Sequence, residues 1–590
     1  MKSIATTILF GGACMLTTAT SIADKGRAEA LAWPPKQDSN SSYILRYDSI
    51  HHSVNSRKGM VVSQNAVASQ VGRDILAKGG NAVDAAVAVG FALAVTLPRA
   101  GNLGGGGFML MYSADDGNTT AIDYRGEAPS SIRSDDYIDD KGKVDRNKTR
   151  LGHTASTVPG TVSGLYAAHR ARGKLPWASL LEPAIRLAEK GITVTEDLSW
   201  ALKAKAKVLT QNPESCRIFF KNCSGYLEAG DTLVQKDLAD SLRLVAKHGE
   251  SAFYKGELAE KIIADMNANG GFFQAKDLAS YQARTVAPLS SAYRDHQVLT
   301  MPPPAGGLPL LQILNILEHY DVRAMGAGSA DNLHVLAEAM KQAYADRFEY
   351  LGDPRFSTVP VDALLDKKLA KRQAERIHLN QTLDARKLNA SVLEGPAPGP
   401  DTTHYSIADS EGNLVSNTYT LSASFGSGVT IRGTGILMNN QINNFVIRPS
   451  HVYQDSPREP NAIAPGKRTK STQSPTLVFK DGKPVLVTGT PGGRRIITTV
   501  AQLISNVVDH QMNVADATDF PRIHQGWGNR DYKLEHEAGF SPDTLKLLKD
   551  KGHQLKAGAT MGSTQSIAIE DGLYRGAADS RRPGAAAIAL

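Results

Sequence analysis

Residues 401–422 read DTTHYSIADSEGNLVSNTYTLS, and they decide the fold class. Apolar and polar residues alternate on both sides of residues 410–413, and a period of two is typical of β-strands with one buried face. A Ser-Glu-Gly-Asn turn between two such runs predicts an antiparallel hairpin. The preceding residues 394–400 read EGPAPGP, so we expect a linker that leads directly into the first strand.

A second hairpin follows further along the chain. Residues 475–490, PTLVFKDGKPVLVTGT, alternate around an Asp-Gly pair at 481–482, which is a strong signal for a tight hairpin turn. Residues 494–510, RRIITTVAQLISNVVDH, then have the spacing of a helix. The C-terminal part of the chain is therefore predicted to combine strands with helices.

The N-terminal half is predicted to be mainly helical. Residues 81–98, NAVDAAVAVGFALAVTLP, are apolar on nearly every side, so we expect a buried helix capped by Asn81. Residues 160–380 contain several amphipathic helical runs. A helical half followed by strands and helices predicts a layered α+β fold.

Composition excludes several function classes. The chain has 590 residues, of which 41% are hydrophobic and 21% charged, which is ordinary for a globular protein. Its formal net charge of +7 is spread along the chain without a lysine- or arginine-rich block, so we expect no nucleic-acid partner. After the N-terminal segment no apolar stretch reaches the roughly 20 residues that span a bilayer, so we expect no membrane anchor in the mature chain.

The N-terminus has the pattern of a secretory signal peptide. Lys2 precedes an apolar run at residues 4–16, and Ser21-Ile22-Ala23 fits the small-x-small cleavage pattern. We expect residues 1–23 to be removed and the mature protein, which begins at Asp24, to be periplasmic or secreted. The alternative is a short buried helix.

Two cysteines remain after removal of Cys14. Cys216 and Cys223 are separated by six residues, and in an oxidising compartment this spacing favours a local disulfide. Two unpaired thiols are the alternative. The cysteines offer no metal-ligand spacing, so we predict no metal site.

The common catalytic motifs are missing from the sequence, which directs attention to the threonines after the linker. The glycine-rich segment GNLGGGGFML at residues 101–110 lacks a Gly-Lys-Ser/Thr ending, so it fits close backbone packing better than a phosphate loop. A threonine becomes a good nucleophile when it is N-terminal, because its own α-amine then takes the hydroxyl proton. Cleavage before Thr402 would create such a residue. The alternative is that the paired threonines only favour a strand.

Longer motifs resemble one protein family. They are GGNAVDAAVA, GNLGGGGFML, AIDYRGEAP, VPGTVSGL, MPPPAGG and YADRFEYLGDP, followed by TTHYSIAD, GILMNNQINNF, SPTLVFKDG, TGTPGGRRIITTV and MGSTQS. In this order, over roughly residues 58–590, they resemble the γ-glutamyltranspeptidase family of N-terminal nucleophile hydrolases. The resemblance implies an αββα sandwich whose single precursor cuts itself between Asp401 and Thr402. Residues 24–401 would form the large subunit and residues 402–590 the small subunit of a heterodimer, and together they would make one structural domain.

The resemblance also implies catalytic roles. Thr402 matches the nucleophile of both self-cleavage and turnover, with its freed α-amine as the general base. Thr420 matches the threonine whose hydroxyl holds the nucleophile in place. Gly492 and Gly493 match the glycines whose N–H groups form the oxyanion hole, where one donor typically contributes about 3 kcal/mol.

Substrate-binding residues are implied by the same match. Arg125 corresponds to the arginine that pairs with the substrate α-carboxylate. Ser471 and Thr472 fall where the family has two serines for that carboxylate, and Gln441 matches a group near the substrate α-amine. Tyr453 corresponds to the tyrosine of a lid at residues 449–465.

Two substrate-binding positions depart from the family pattern. Ser422 replaces a common asparagine, and Asn444 replaces an aspartate that pairs with the substrate α-ammonium. Loss of one charge-assisted hydrogen bond weakens binding by about 10- to 150-fold. Either the variant is tolerated, with Gln441 and backbone carbonyls still holding the amine, or it shifts specificity toward acyl groups without an α-amine. Glutaryl amides, the substrates of the family's cephalosporin acylases, are such a case.

The resemblance implies two-step acyl transfer without a cofactor. Thr402 attacks the γ-amide carbonyl of glutathione or another γ-glutamyl compound, and water, an amino acid or a peptide then accepts the γ-glutamyl group. A glutaryl-amide hydrolase of the same family is the first alternative. The second is an inactive, exported homologue with a binding or structural role.

Overall fold

The computed structural model describes residues 49–388, 401–448, 459–527 and 532–590. Its α-helices are, in chain order, Ala66–Ala77, Ala82–Thr96, Arg146–Arg150, Thr161–Arg172, Trp177–Lys190, Glu196–Leu209, Pro213–Phe219, Lys236–His248, Ser251–Tyr254, Glu257–Ala268, Ala275–Ser280, Gly307–Leu317, Val322–Met325, Ala330–Tyr350, Val361–Leu365, Lys367–Glu375, Ile496–Val508, Val514–Asp519 and Pro542–Asp550. The predicted signal peptide and the linker at 394–400 lie outside the described residues.

The strands are numbered in chain order. They are β1 Val54–Ser56, β2 Met60–Ser63, β3 Gly106–Tyr112, β4 Thr119–Tyr124, β5 Ile192–Thr193, β6 Phe220–Lys221, β7 Gly225–Tyr226, β8 Thr232–Leu233, β9 Arg284–Val286, β10 Leu289–Tyr293, β11 His296–Thr300, β12 Asp401–Ala408, β13 Leu414–Ser422, β14 Thr476–Lys480, β15 Lys483–Thr488, β16 Ile523–His524, β17 Leu534–His536, β18 Leu555–Ala557, β19 Gln565–Glu570, β20 Leu573–Ala578 and β21 Ala586–Ala589.

Two seven-stranded antiparallel sheets form the centre of the molecule. The first sheet has the order β21-β2-β12-β13-β3-β4-β9, and the second has the order β1-β20-β19-β15-β14-β11-β10. The predicted hairpin at 401–422 is confirmed as β12 and β13 in the middle of the first sheet. The hairpin predicted at 475–490 is confirmed as β14 and β15. Its turn residues Asp481 and Gly482 have φ angles of 50° and 74°, which is why an Asp-Gly pair suits this turn.

The two sheets enclose one apolar layer, and helices cover their outer faces. Alternate side chains of both sheets fill the inner layer, among them Val62, Phe108, Leu477 and Ile567. The opposite faces pack against helices, the first sheet against helices before residue 281 and the second mainly against helices at 307–350 and 496–519. These four layers are the expected αββα sandwich, which confirms the fold class.

The helix Ala82–Thr96 holds the central hairpin in place. All 15 of its residues are buried, and its predicted cap at Asn81 is confirmed by side-chain hydrogen bonds to the first turn. The Tyr405 hydroxyl of β12 donates to the Ala86 carbonyl at 2.9 Å, and the Tyr419 hydroxyl of β13 donates to the Gly90 carbonyl at 2.8 Å. Both strands of the hairpin are therefore attached to the same helix. Within the described residues, no helix combines the length and apolar character needed to cross a bilayer.

Polar side chains of β12 point into the space between the sheets. His404 Nδ1 lies 2.7 Å from Thr418 Oγ1, and His404 Nε2 lies 3.1 Å from Ser406 Oγ. Ser406 Oγ in turn donates to the Gln565 carbonyl of the second sheet at 2.8 Å. Burial lowers the pKa of His404 to about 3, so its imidazole is neutral near pH 7.

We expect His404 to make the free energy of unfolding depend on pH. Its pKa is about 3 in the folded chain and about 6.5 when unfolded. The unfolded state therefore binds more protons between these values, and stability falls as the pH falls below about 6.5, by up to about 1.4 kcal/mol per pH unit. The parent protein for this test is Thr402→Ala, which we expect to stay uncut. Urea unfolding at about pH 7 and about pH 5.5 should show a smaller loss of stability for His404→Gln in this parent than for the parent itself.

The matched control is His248→Gln, which removes an exposed imidazole. Its loss of stability between the two pH values should equal that of the parent. An equal loss in all three proteins would contradict the role given to His404.

Candidate active site

Thr402 lies at an irregularity in the central strand pair. Thr403 is paired with Tyr419, and Asp401 is paired with Ser422, so two residues of β13 oppose the single residue Thr402. Such a bulge interrupts the ladder and re-aims the local side chains and carbonyls. Thr402 is only 5% exposed, and the peptide bond before it lies within β12. The predicted cleavage bond therefore lies inside the sandwich, at the one irregular step of this strand pair.

The Thr420 hydroxyl connects both sides of that peptide bond. It donates to the Asp401 carbonyl at 2.7 Å and accepts from the Ser422 backbone N–H at 2.7 Å. The Thr402 hydroxyl donates to Thr420 Oγ1 at 3.3 Å. The predicted contact between Thr402 and Thr420 is therefore present, and the only proton of the Thr420 hydroxyl is directed at the Asp401 carbonyl.

Arg125 is a buried cation with unused donors. It follows β4 and is 1% exposed. Its backbone is held by Asp123 Oδ1, which accepts from its N–H at 2.9 Å, and by the Tyr281 hydroxyl, which donates to its carbonyl at 2.9 Å. Its Nε and Nη1 have no hydrogen-bond partner among the described residues. Burial lowers the pKa of Arg125 to about 10, so the group stays charged near pH 7 and can bind an anion.

Gln441 joins the Arg125 loop to the threonine site. Its Oε1 accepts from the Gly126 N–H at 3.2 Å, and its Nε2 donates to the Thr420 carbonyl at 3.4 Å. Asn439 Oδ1 fixes the Gln441 backbone by accepting its N–H at 3.0 Å. Sequence separation between these residues is large, yet two hydrogen bonds place the arginine loop next to the strand that carries Thr420.

The two residues that depart from the family pattern contact each other. Asn444 Nδ2 donates to Ser422 Oγ at 3.1 Å, and Ser422 Oγ lies 3.3 Å from Asn444 Oδ1. Both side chains are almost fully buried. Ser422 has a φ angle of 84°, in the left-handed region that asparagine tolerates better than serine. Asn461, in the C-terminal part of the expected lid at 449–465, donates from Nδ2 to the Asn444 carbonyl at 2.6 Å.

A second group of predicted site residues surrounds the glycine pair. Gly492 and Gly493 have φ angles of 141° and 57°, and a Cβ on Gly492 would lie 3.2 Å from the Gly562 backbone. Thr472 Oγ1 donates to the Gly493 carbonyl at 2.7 Å. Ser471 is held by its N–H, which donates to the Pro304 carbonyl at 2.7 Å. Through this hydrogen bond the Thr472 hydroxyl orients the glycine pair.

The two groups meet along β12. Gly489, three residues before the glycine pair, packs so closely on His404 that a Cβ would lie 2.3 Å from the imidazole ring. Since His404 is two residues after Thr402 in β12, this contact brings the glycine loop beside the strand that contains the threonine. These contacts therefore link residues from four distant segments to the strand pair β12–β13.

Sequence reasoning missed two residues at the expected cleavage site. Arg99 Nη1 donates to Asp401 Oδ1 at 2.6 Å. Arg99 Nε and Nη2 donate to Asp197 Oδ2 at 3.0 and 2.8 Å. No catalytic motif marks Arg99 in the sequence. Because 302 positions separate it from Asp401, local sequence patterns could not identify this contact.

Two further predicted features lie elsewhere. Tyr453 and most of the expected lid lie outside the described residues, so their placement stays a prediction. Cys216 and Cys223 are joined by a disulfide bond in the structure, with their Cα atoms 5.1 Å apart. The bond links the helix Pro213–Phe219 to the turn of the short β6–β7 hairpin.

One buried group has the chemistry of metal ligands. Donor atoms of His334, Glu338 and His553 lie within 4.8 Å of one another. Glu338 Oε1, however, accepts from Lys341 Nζ at 2.7 Å, and His334 Nδ1 lies 2.8 Å from His553 Nε2. Because a lysine ammonium already neutralises the carboxylate and the imidazoles bind each other, these residues form a hydrogen-bonded network.

The fold and the threonine together define the class of protein. An αββα sandwich with a buried threonine next to the first residue of a central strand is the architecture of N-terminal nucleophile hydrolases.

Comparison with known proteins gives the family. The family model described as Gamma-glutamyltranspeptidase matches residues 68–589. The chain is 46% identical to the glutathione hydrolase proenzyme of Escherichia coli (strain K12), over 98% of this chain and 97% of that protein. It is 37% identical to the Acylase ACY 1 proenzyme of Pseudomonas sp. (strain SE83), over 89% of this chain and 93% of that protein.

A solved structure agrees with these relatives. Cephalosporin acylase from Bacillus halodurans is similar to this chain with a TM-score of 0.81 and 30% identity, over 94% of this chain and 99% of that one. The chain belongs to the γ-glutamyltranspeptidase family.

Proposed function

We propose that this enzyme transfers γ-glutamyl groups from glutathione and other γ-glutamyl amides to water, amino acids or peptides, after it has cut its own chain between Asp401 and Thr402. The observation that carries the proposal is Arg125, a buried guanidinium with two unused nitrogen donors. Its loop is connected through Gln441 to Thr420. The α-carboxylate of a γ-glutamyl substrate would supply the partner that Arg125 lacks.

Self-cleavage would begin from the contacts around the Asp401 carbonyl. The Thr402 hydroxyl oxygen attacks the carbonyl carbon of Asp401, the C–N bond breaks, and the resulting ester leaves Thr402 with a free α-amine. Water then hydrolyses the ester and restores the hydroxyl. The hydrogen bond from Thr420 to the Asp401 carbonyl, 2.7 Å long, would stabilise the negative charge that develops on that oxygen during the attack.

Turnover would use the same hydroxyl with a new base. The freed α-amine of Thr402 takes the hydroxyl proton while the oxygen attacks the γ-amide carbonyl of the donor. The N–H groups of Gly492 and Gly493 would bind the oxyanion. The α-amine of Thr402 then passes the proton to the amine of the donor, which leaves. Water or an acceptor amine then attacks the γ-glutamyl ester and releases Thr402. The hydrogen bond from Thr472 to Gly493 supports an oriented glycine pair.

Export is part of the proposal. It rests on the signal-like pattern of residues 1–23 and on the disulfide between Cys216 and Cys223, which suits an oxidising compartment. The two products of self-cleavage would form a heterodimer, because β12 and β13 of the small subunit pair within one sheet with β2 and β3 of the large subunit.

Thr420 should be required for self-cleavage. Thr420→Val keeps the side-chain shape and removes the hydroxyl that contacts Asp401, Thr402 and Ser422, so the precursor should remain a single band on a denaturing gel. Thr420→Ser keeps the hydroxyl and should be cut. Mass spectrometry of the wild type should find a large subunit that begins at Asp24 and a small subunit that begins at Thr402. A small subunit with another N-terminus would exclude Thr402 as the nucleophile.

Arg125 should recognise the substrate α-carboxylate. Arg125→Gln should lower kcat/KM for a γ-glutamyl anilide by about 100-fold, since a buried charge-assisted pair is lost. The control substrate is the 4-aminobutyryl anilide, which lacks the α-carboxylate and should be a poor substrate for wild type and variant alike. If the variant is cut into two subunits and still prefers the γ-glutamyl donor as strongly as the wild type does, Arg125 does not bind the carboxylate.

A second candidate function is hydrolysis of glutaryl amides. It is favoured by the contact between Asn444 and Ser422. Two neutral groups that hydrogen-bond to each other stabilise a substrate ammonium less than a carboxylate would. A glutaryl group has no ammonium and would lose nothing at this position. Since Ser422 and Asn444 touch, we expect their substitutions to act together.

Substitution of both residues should separate the two functions. Asn444→Asp should raise kcat/KM for the γ-glutamyl anilide relative to the glutaryl anilide by about 10-fold or more, because the carboxylate pairs with the donor ammonium. Adding Ser422→Asn should strengthen the shift, since asparagine suits the positive φ of this position. An unchanged ratio in the single and double variants would mean that Asn444 is a neutral replacement.

A further inference from the structure

Arg99 holds the side chain of the residue before the nucleophile. Its guanidinium lies between two carboxylates, with Nη1 donating to Asp401 at 2.6 Å and with Nε and Nη2 donating to Asp197. The Arg99 side chain is 6% exposed, and those of Asp197 and Asp401 are 16% and 13% exposed. Burial alone would lower the pKa of Arg99, but the charges of Asp401 and Asp197 raise it above its usual value, so the arginine is held as a cation.

The backbone of Arg99 is attached to the end of β13. Its carbonyl accepts from the Phe425 N–H at 2.9 Å, and the next carbonyl, of Ala100, accepts from the Leu421 N–H at 3.0 Å. Leu421 is one of the two residues that oppose Thr402 at the bulge. The arginine is therefore anchored to the strand that also carries Thr420, so the two contacts to Asp401 come from one rigid unit.

Asp401 is thus held at two points. Thr420 binds its carbonyl oxygen at 2.7 Å, and Arg99 binds its side chain at 2.6 Å. Two contacts on opposite sides of one Cα restrict rotation of the residue and hence the direction of its carbonyl carbon. Attack by a neighbouring hydroxyl is highly sensitive to such alignment, because a fixed near-attack geometry removes entropy and reorganisation costs from the barrier.

We propose that Arg99, braced by Asp197, is a positioning residue for self-cleavage, which fixes the Asp401 carbonyl in line with the Thr402 hydroxyl. This inference rests on the proposed cleavage between Asp401 and Thr402. Arg99 acts through Asp401 and donates no proton to the reacting atoms. Once the bond is broken, Asp401 is the C-terminus of the large subunit and is no part of the acyl-transfer reaction. Arg99 therefore governs maturation and leaves turnover of the mature enzyme unaffected.

The test measures maturation and turnover separately. Full-length precursor is made by cell-free synthesis, and the first-order rate of its disappearance is followed on denaturing gels. Arg99→Gln and Asp401→Asn should each slow cleavage by about 10- to 100-fold, the effect of losing one charge-assisted contact. The double variant should be no slower than the single ones, because both remove the same ion pair. Arg99→Lys keeps the charge but cannot contact both carboxylates, so its rate should be intermediate.

Two controls make the result specific. Arg186→Gln removes an exposed helix ion pair with Glu182 and should be cut at the wild-type rate. For each variant, kcat/KM toward a γ-glutamyl anilide is divided by the amount of cut enzyme, and the value for Arg99→Gln should stay within about twofold of the wild type.

Two outcomes would overturn the inference. One is an Arg99→Gln precursor that is cut as fast as the wild type. The other is a slowed precursor whose cut fraction has lost kcat/KM by a similar factor, which would indicate a general structural role. Failure of the underlying proposal is seen independently, in the wild type, as a chain that stays whole or a small subunit that does not begin at Thr402.

Discussion

The site depends on the pairing of β12 with β13 and on the register in which the two strands pair. Tyr405 and Tyr419 point outward and bind the helix Ala82–Thr96, so the alternate residues must face the second sheet. A slip of one residue would exchange the two faces. It would move the tyrosines into the sandwich and remove His404 and Thr418 from it. Helix attachment thereby determines that the Thr402 and Thr420 hydroxyls meet.

Two buried arginines, Arg468 and Arg125, differ in whether the fold supplies partners for their charged groups. Arg468 is fully buried, and it pairs with Asp123 at 3.0 Å and with Glu127 at 3.1 Å, so its charge is neutralised inside the fold. Arg125 is equally buried but keeps two donors without partners among the described residues. A buried cation without a full set of partners destabilises the folded state. Such a cost is expected where a ligand supplies the missing contact.

Local patterns predicted much of the fold. The two hairpins, the buried helix and its cap at Asn81 follow from periodicity and turn chemistry, which act over a few residues and are therefore visible in a single sequence. The order of strands was not predictable in this way. β2 lies between β12 and the C-terminal β21, and such pairing depends on which edges remain free once the hairpins have formed.

The candidate site was likewise predictable from the sequence only in part. Family motifs allowed Thr402, Thr420, Arg125 and the glycine pair to be named from the sequence. They could not show that Ser422 and Asn444 hydrogen-bond to each other, because a loop of about 20 residues separates them. The linker at 394–400, most of the lid and Tyr453 remain sequence predictions, since they lie outside the described residues.

By itself the sequence determined the strand alternation at 401–422, the family motifs and the threonine that follows the linker, because these are properties of neighbouring residues. Only the tertiary structure decided which groups surround Asp401. Arg99, which also binds Asp197, donates to the Asp401 carboxylate from a distant position in the sequence, and the Thr420 hydroxyl donates to the Asp401 carbonyl across a bulge. The physical reason is that a side chain's direction and partners are set by the packing of helices and loops against the strand, and this packing brings together residues whose separation in sequence carries no signal.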